Sequence, residues 1–116
     1  MRRRLFQDGL SLCAPSLLRL ESLNVLRRLL LSKIVSEPTA HLAFADLMRL
    51  GIHYYSEEAL VRRVWNLRHN LTAYDAAYVA LAESLEAPLL TRDDRLAKSS
   101  GHRARIEFIP LTSSAA

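Results

Sequence analysis

Three carboxylates stand where an α/β chain can bring acids together. Asp93 lies just beyond a short apolar run, Leu89 to Thr91; Asp75 falls in the first turn of an alanine-rich helical pattern; Glu21 interrupts a leucine-rich one. In a doubly wound sheet the residues beyond the carboxyl ends of the strands and in the first turns of the following helices face one crevice. Acids gathered there repel one another, and a hard divalent cation such as Mg2+ or Mn2+ offsets that repulsion and attracts a phosphodiester. Each acid also has an ordinary explanation. Asp75, three residues after Thr72, completes a capping box, and Asp93 or Asp94 suits the start of a short helix. Glu21, with Asn24 and Arg28 on nearly the same helical stripe, can be balanced by Arg28 or Arg68 in a buried ion pair.

Other chemistries have less support. Ser56, Ser99 and Ser100 lack a nucleophile-elbow motif, Cys13 has no histidine nearby, and the three glycines form neither a dinucleotide fingerprint nor a phosphate loop. His69 reads as a helix C-cap, and Trp65, Tyr74, Tyr78 and Tyr55 read as packing residues. The single cysteine excludes an intrachain disulfide, so the expected setting is intracellular and cytoplasmic. No apolar run approaches the roughly 18 residues of a membrane helix. Sixteen Lys and Arg against 12 acids give a formal charge of +4, which favours polyanionic partners. Arg92 and Arg95 beside Asp93, with Arg28 in the helix of Glu21, are the cations placed to meet a phosphate.

The elements that would position these residues follow from 116 residues that are 50% apolar and 24% charged, a composition of one globular domain. Leu10 to Ala14 reads as a strand. Ser16 to Val35 follows as a helix apolar over most of its circumference, hence expected to be widely buried. A helix from Thr39 to Arg49, a strand at Ile52 to Ser56 and a helix from Ser56 to about Asn70 come next, then Thr72 to Leu85 as the most periodic helix. Ala87 to Thr91 is a strand, Asp93 to Lys98 a helical turn or two, and Ala104 to Leu111 a last strand. The alternation predicts an α/β fold with a mainly parallel sheet flanked by helices.

The segments Leu71-Thr-Ala-Tyr-Asp75-Ala-Ala-Tyr-Val-Ala-Leu-Ala-Glu83 and Ala87-Pro-Leu-Leu-Thr-Arg-Asp93-Asp-Arg-Leu96 resemble the PIN-domain ribonucleases of the VapC toxin type. Ala14-Pro-Ser-Leu-Leu-Arg-Leu-Glu21-Ser-Leu-Asn24-Val-Leu-Arg-Arg28 resembles an earlier helix of the same family. The resemblance implies a Mg2+- or Mn2+-dependent endoribonuclease of a toxin–antitoxin pair that cuts RNA, dimerises and is neutralised by a cognate antitoxin. It implies that Glu21, Asp75 and Asp93 serve as catalytic metal ligands. Thr91 would orient water or phosphate, Asn24 would accompany the glutamate, and Asp94 is an extra neighbouring acid.

One departure qualifies this. Members of that family open with an apolar strand ending in aspartate, followed by one or two helices, and only then reach the region matching Leu5 to Pro15. The expected domain is thus an N-terminally truncated PIN-like unit over residues 1–111, lacking the first strand and first helices, with 112–116 as a flexible tail. In the family's 3-2-1-4-5 sheet order the absent strand is the central one, so the two halves of the sheet are expected to lack a shared neighbour. The alternative function is a catalytically dead PIN-like domain that only binds an antitoxin or nucleic acid.

Overall fold

The computed structural model describes residues 2–6 and 9–110, with side chains described from residue 11 onward. Five strands form one sheet: β1 (Arg2–Phe6), β2 (Gly9–Pro15), β3 (Ile52–Tyr55), β4 (Leu89–Thr91) and β5 (Ile106–Phe108), in the order β3-β2-β1-β4-β5. Five helices accompany them: α1 (Leu17–Leu31), α2 (Glu37–Arg49), α3 (Val61–Asn66), α4 (Ala73–Leu85) and α5 (Asp94–Ala97). The α/β class and the flanking helices are as the sequence predicts. β2 and β3 pair in parallel, as do β4 and β5.

The centre of the sheet differs from expectation. It is not left without a strand, because β1 lies between β2 and β4 and runs antiparallel to both. Its ladder with β2 extends from Arg2↔Cys13 to Phe6↔Gly9, and Arg2↔Leu89 joins it to β4. A strand needs partners for its backbone groups before it needs an apolar face, and the run Arg2-Arg3-Arg4 carries no strand signature in its side chains. The sheet is therefore mixed.

Local signals set several boundaries. The Ser36 hydroxyl caps α2 by accepting from the Thr39 N–H at 3.3 Å, and the Thr72 hydroxyl caps α4 by accepting from the Asp75 N–H at 3.1 Å. The helix expected after Ser56 begins instead as a 3-10 turn over Glu57–Leu60 and ends at Asn66, four residues early. His69 follows in the turn beyond it and is exposed. α4 stops where Glu86 adopts a left-handed conformation (φ 51°) two residues before Pro88.

α1 is also shorter than its leucines suggest, and no residue in it is buried. It packs mainly on α2 and β2, which leaves Leu20 72% exposed and Leu31 63% exposed. Its N-terminus is held from a distance: the Glu57 carboxylate accepts from the Ser16 hydroxyl at 2.7 Å and from the Leu17 N–H at 2.8 Å. Partial burial pushes the Glu57 carboxyl upward, but those hydrogen bonds outweigh it and leave the group below its ordinary range.

The core gathers around α4. Ala76, Val79 and Ala82 pack with Leu67, Leu89 and Leu96, while Ala80 and Leu81 pack with Leu60. Within this apolar surround sits Glu83, its side chain only 2% exposed. Arg63 donates to it through Nε (2.7 Å) and Nη2 (2.8 Å), and the Arg103 N–H donates at 2.9 Å. The Arg63 hydrogen bonds hold the Glu83 carboxyl below its ordinary value of 4.5 against the opposing effect of burial. A depressed carboxyl stabilises the fold above its unfolded value and loses that contribution as pH falls through the folded one. Arg63→Ala should therefore destabilise the chain at neutral pH by about 3 kcal/mol, the lower end for breaking a buried pair because the arginine is partly solvated. Denaturant titrations should show that deficit shrinking as pH drops below 4.5.

Candidate functional site

Glu21 occupies the second turn of α1, half-buried, and its Oε1 accepts a hydrogen bond from the Tyr78 hydroxyl at 2.7 Å. Tyr78 lies one turn beyond Asp75 on α4, so this bond draws the Glu21 carboxylate to the helix that carries the second acid. Neither Arg28 nor Arg68 pairs with Glu21 among the described residues. Arg68 instead stacks over Trp65, 4.3 Å from the ring centroid, and donates to the Trp65 carbonyl. Arg28 is exposed and shares an open groove of about 450 Å³ with Glu21, Ser22 and Asn24.

Asp75 is half-buried. Thr72 takes its backbone N–H, but the Asp75 carboxylate has no hydrogen bond or ion pair among the described residues, so capping accounts for its amide and not its charge. Asp93 is exposed and caps α5, its Oδ1 accepting from the Arg95 N–H at 2.9 Å and the Leu96 N–H at 3.4 Å. The Thr91 hydroxyl accepts from the Asp93 N–H at 3.0 Å, which fixes the turn between β4 and that cap. Asp94 forms an exposed ion pair with Lys98, and Arg92 and Arg95 are exposed on either side of the acids. Among the described residues no group of three or more His, Cys, Asp or Glu is disposed to hold a metal ion. Glu21, Asp75 and Asp93 thus do not form one closed ligand set in this arrangement.

A second open groove, about 570 Å³, also reaches Glu21 and Asn24, and is lined by Arg27 and Tyr74 as well. Tyr74 was expected to pack, yet it is 66% exposed; Trp65, at 64%, and Tyr55, at 37%, are likewise not core residues. Sequence reasoning also passed over Glu83 and Glu57, although a lone acid inside the run Val79 to Leu85 was a readable signal for a buried pair.

The Ser99–His102 contact does not make a nucleophile. His102 Nδ1 faces the Ala104 N–H at 3.2 Å and so acts as acceptor, which leaves Nε2 to donate to Ser99 Oγ at 2.9 Å. The Ser99 hydroxyl then gives its own proton to the Leu96 carbonyl at 2.6 Å. A serine donating away from its histidine is a structural hydrogen bond.

A mixed sheet flanked by helices, with an acid in the first turn of a buried alanine-rich helix and another just beyond the next strand, defines a PIN-type domain. The PIN-domain family model matches residues 2–101, and the chain belongs to that family, in its VapC ribonuclease branch. It is 43% identical over 108 residues to Ribonuclease VapC1 of Mycobacterium tuberculosis, which covers 92% of this chain and 80% of that protein. It is 33% identical over 101 residues to Ribonuclease VapC12 of the same organism, covering 87% and 78% respectively. A shorter match, 47% over 49 residues, covers 42% of this chain and 37% of Ribonuclease VapC3 of Pyrobaculum aerophilum. No helix among the described residues is long and apolar enough to cross a membrane.

The two roles of Asp93 can be separated. Asparagine caps a helix as well as aspartate does but lacks the charge, so Asp93→Asn should melt close to the parent while Asp93→Ala should lose about 1 kcal/mol. Thermal melts of both variants without added metal are the check, and equal losses would show that the carboxylate does more than cap α5.

Proposed function

We propose that this chain is an endoribonuclease toxin of a type II toxin–antitoxin pair, hydrolysing RNA phosphodiester bonds with Mg2+ or Mn2+ as cofactor. Glu21, Asp75 and Asp93 are the residues we assign to the ion. The observation that carries the assignment is the state of their oxygens. The Asp75 carboxylate is unengaged, Glu21 uses only Oε1, and Asp93 uses only Oδ1 among the described residues. Both oxygens of Glu57 and of Glu83 are instead committed to protein donors. The two structural acids have both oxygens engaged, whereas the proposed ligands each keep a free oxygen. Because the three do not meet as one group here, the reading rests on those free oxygens and on the family, not on a formed cage.

The protein's own contributions follow from placement. Tyr78 holds Glu21 in one orientation, Thr91 fixes the turn that presents Asp93, and Asn24 shares the grooves beside Glu21. Arg28, Arg92 and Arg95 supply exposed positive charge for the RNA backbone. We assign a cognate antitoxin and a second copy of the chain as protein partners, supported by apolar surface left open on α1 and α2, where Leu20, Leu31, Leu42 and Met48 are each more than half exposed.

The experiment is RNA cleavage by the purified chain with Mn2+, Mg2+ or a chelator. Cleavage should require the divalent ion and fall about a hundredfold or more in Glu21→Gln and in Asp75→Asn, with melting temperatures near the parent's. A folded parent that binds antitoxin but cuts no RNA with either ion would replace this reading with that of a binding-only domain.

A further inference from the structure

The groove between α1 and the start of α4 contains two residues that the ribonuclease reading leaves without a role, Arg27 and Tyr74. Tyr74 and Tyr78 are one helical turn apart on the same side of α4, yet they are used differently. Tyr78 is half-buried with its hydroxyl on Glu21, whereas Tyr74 presents two-thirds of its surface to solvent. This exposed ring borders a shallow, open groove that Glu21 and Arg27 also line. Arg27 comes from the other element of that groove, is exposed, and has no carboxylate partner among the described residues.

The chemistry of these walls is specific. A ring face accepts any base by stacking, and a guanidinium pairs with phosphate oxygens, so an aromatic and a free arginine across an open groove suit a single-stranded nucleotide. Glu21 in the same groove repels a phosphate by itself, which makes a cation beside it necessary for that ligand. The neighbouring groove past Arg28 is lined by Leu18, Ser22 and Val25 and offers no ring. We propose that Tyr74 and Arg27 form a nucleotide subsite beside Glu21, in which a base of single-stranded RNA stacks on Tyr74 while its phosphate pairs with Arg27. The proposal rests on the ribonuclease reading and adds the residues that grip the strand.

The test measures binding of a short single-stranded RNA to the full chain carrying Asp75→Asn, so that the RNA stays intact, at several salt concentrations. Tyr74→Ala should weaken binding about tenfold, the loss of one stacked base, with an unchanged salt slope, and Tyr74→Phe should restore it. Arg27→Ala should weaken binding and also flatten the plot of log affinity against log salt by about 0.7, the share of one single-strand phosphate contact, while Arg27→Lys should keep the slope. A merely structural role would change melting temperature and not separate affinity from slope in this way. If both alanine variants bind RNA as the Asp75→Asn parent does, the subsite is overturned and the ribonuclease reading stands. If they lose only a co-encoded protein partner, the groove belongs to a protein and the subsite is likewise overturned. If the unmodified chain neither binds nor cuts RNA, the ribonuclease reading fails and the subsite fails with it.

Discussion

Everything else in the molecule depends on α4 being enclosed by protein along most of its length. Ala76, Ala77, Val79, Ala80, Leu81, Ala82 and Glu83 are all buried, so the helix presents core-facing residues around most of its circumference. Four of these seven are alanines, whose small side chains let neighbouring elements approach closely without voids. The surrounding leucines come from α3, β4 and α5 or the segments beside them. A helix surrounded in this way cannot rotate or slide without opening cavities. Its one buried charge adds orientation to packing, because Glu83 is satisfied only when Arg63 and the Arg103 amide stand where they do.

The opposite end of the same helix carries Asp75 and Tyr78, so the core's rigidity is passed to the candidate site. α1 is held far less firmly. It contributes no buried residue, and its polar ties include Glu57 and the Tyr55 carbonyl at its N-terminus, Arg19 over the Tyr54 ring and Tyr78 against Glu21. The groove that holds Glu21, Arg27 and Tyr74 thus has one wall fixed by the core and one wall set by a few hydrogen bonds. Such an arrangement keeps the α4 acid in place while allowing the α1 side to adjust to what enters, because hydrogen bonds near the surface contribute little net stability each.

What could be read from the sequence was whatever local chemistry decides. Ser56 and Thr72 marked helix starts because a hydroxyl before a helix accepts an orphan amide, whereas α2 starts at Glu37 after the Ser36 cap, two residues before the expected Thr39; the strands at β2, β3, β4 and β5 were visible as apolar runs between turn signals. Where the partner lies far along the chain, the reading failed. β1 takes its place through backbone pairing with β2 and β4, which three arginines do nothing to announce. The apolar leucines of α1 forecast burial, but its main packing is on α2 and β2, and several of them remain exposed. Glu57 caps a helix forty residues away from it, and no spacing rule reaches that distance.

The three acids show why capping and chemistry were never exclusive alternatives. An ionised carboxylate has two oxygens and room for about four hydrogen bonds, so one cap does not exhaust it. Asp93 accepts from the Arg95 and Leu96 amides of α5 with a single oxygen. Asp75 receives its cap from Thr72 through the backbone, which leaves the whole side chain for another partner. Tyr78 occupies one oxygen of Glu21, replacing the arginine that the helical spacing suggested. A neutral hydroxyl orients the carboxylate without neutralising it, whereas an arginine would have paired off its charge. The difference between Glu21 and Glu83 follows from that choice of donor: one carboxylate is oriented yet still able to attract a cation, and the other is spent on holding the fold together.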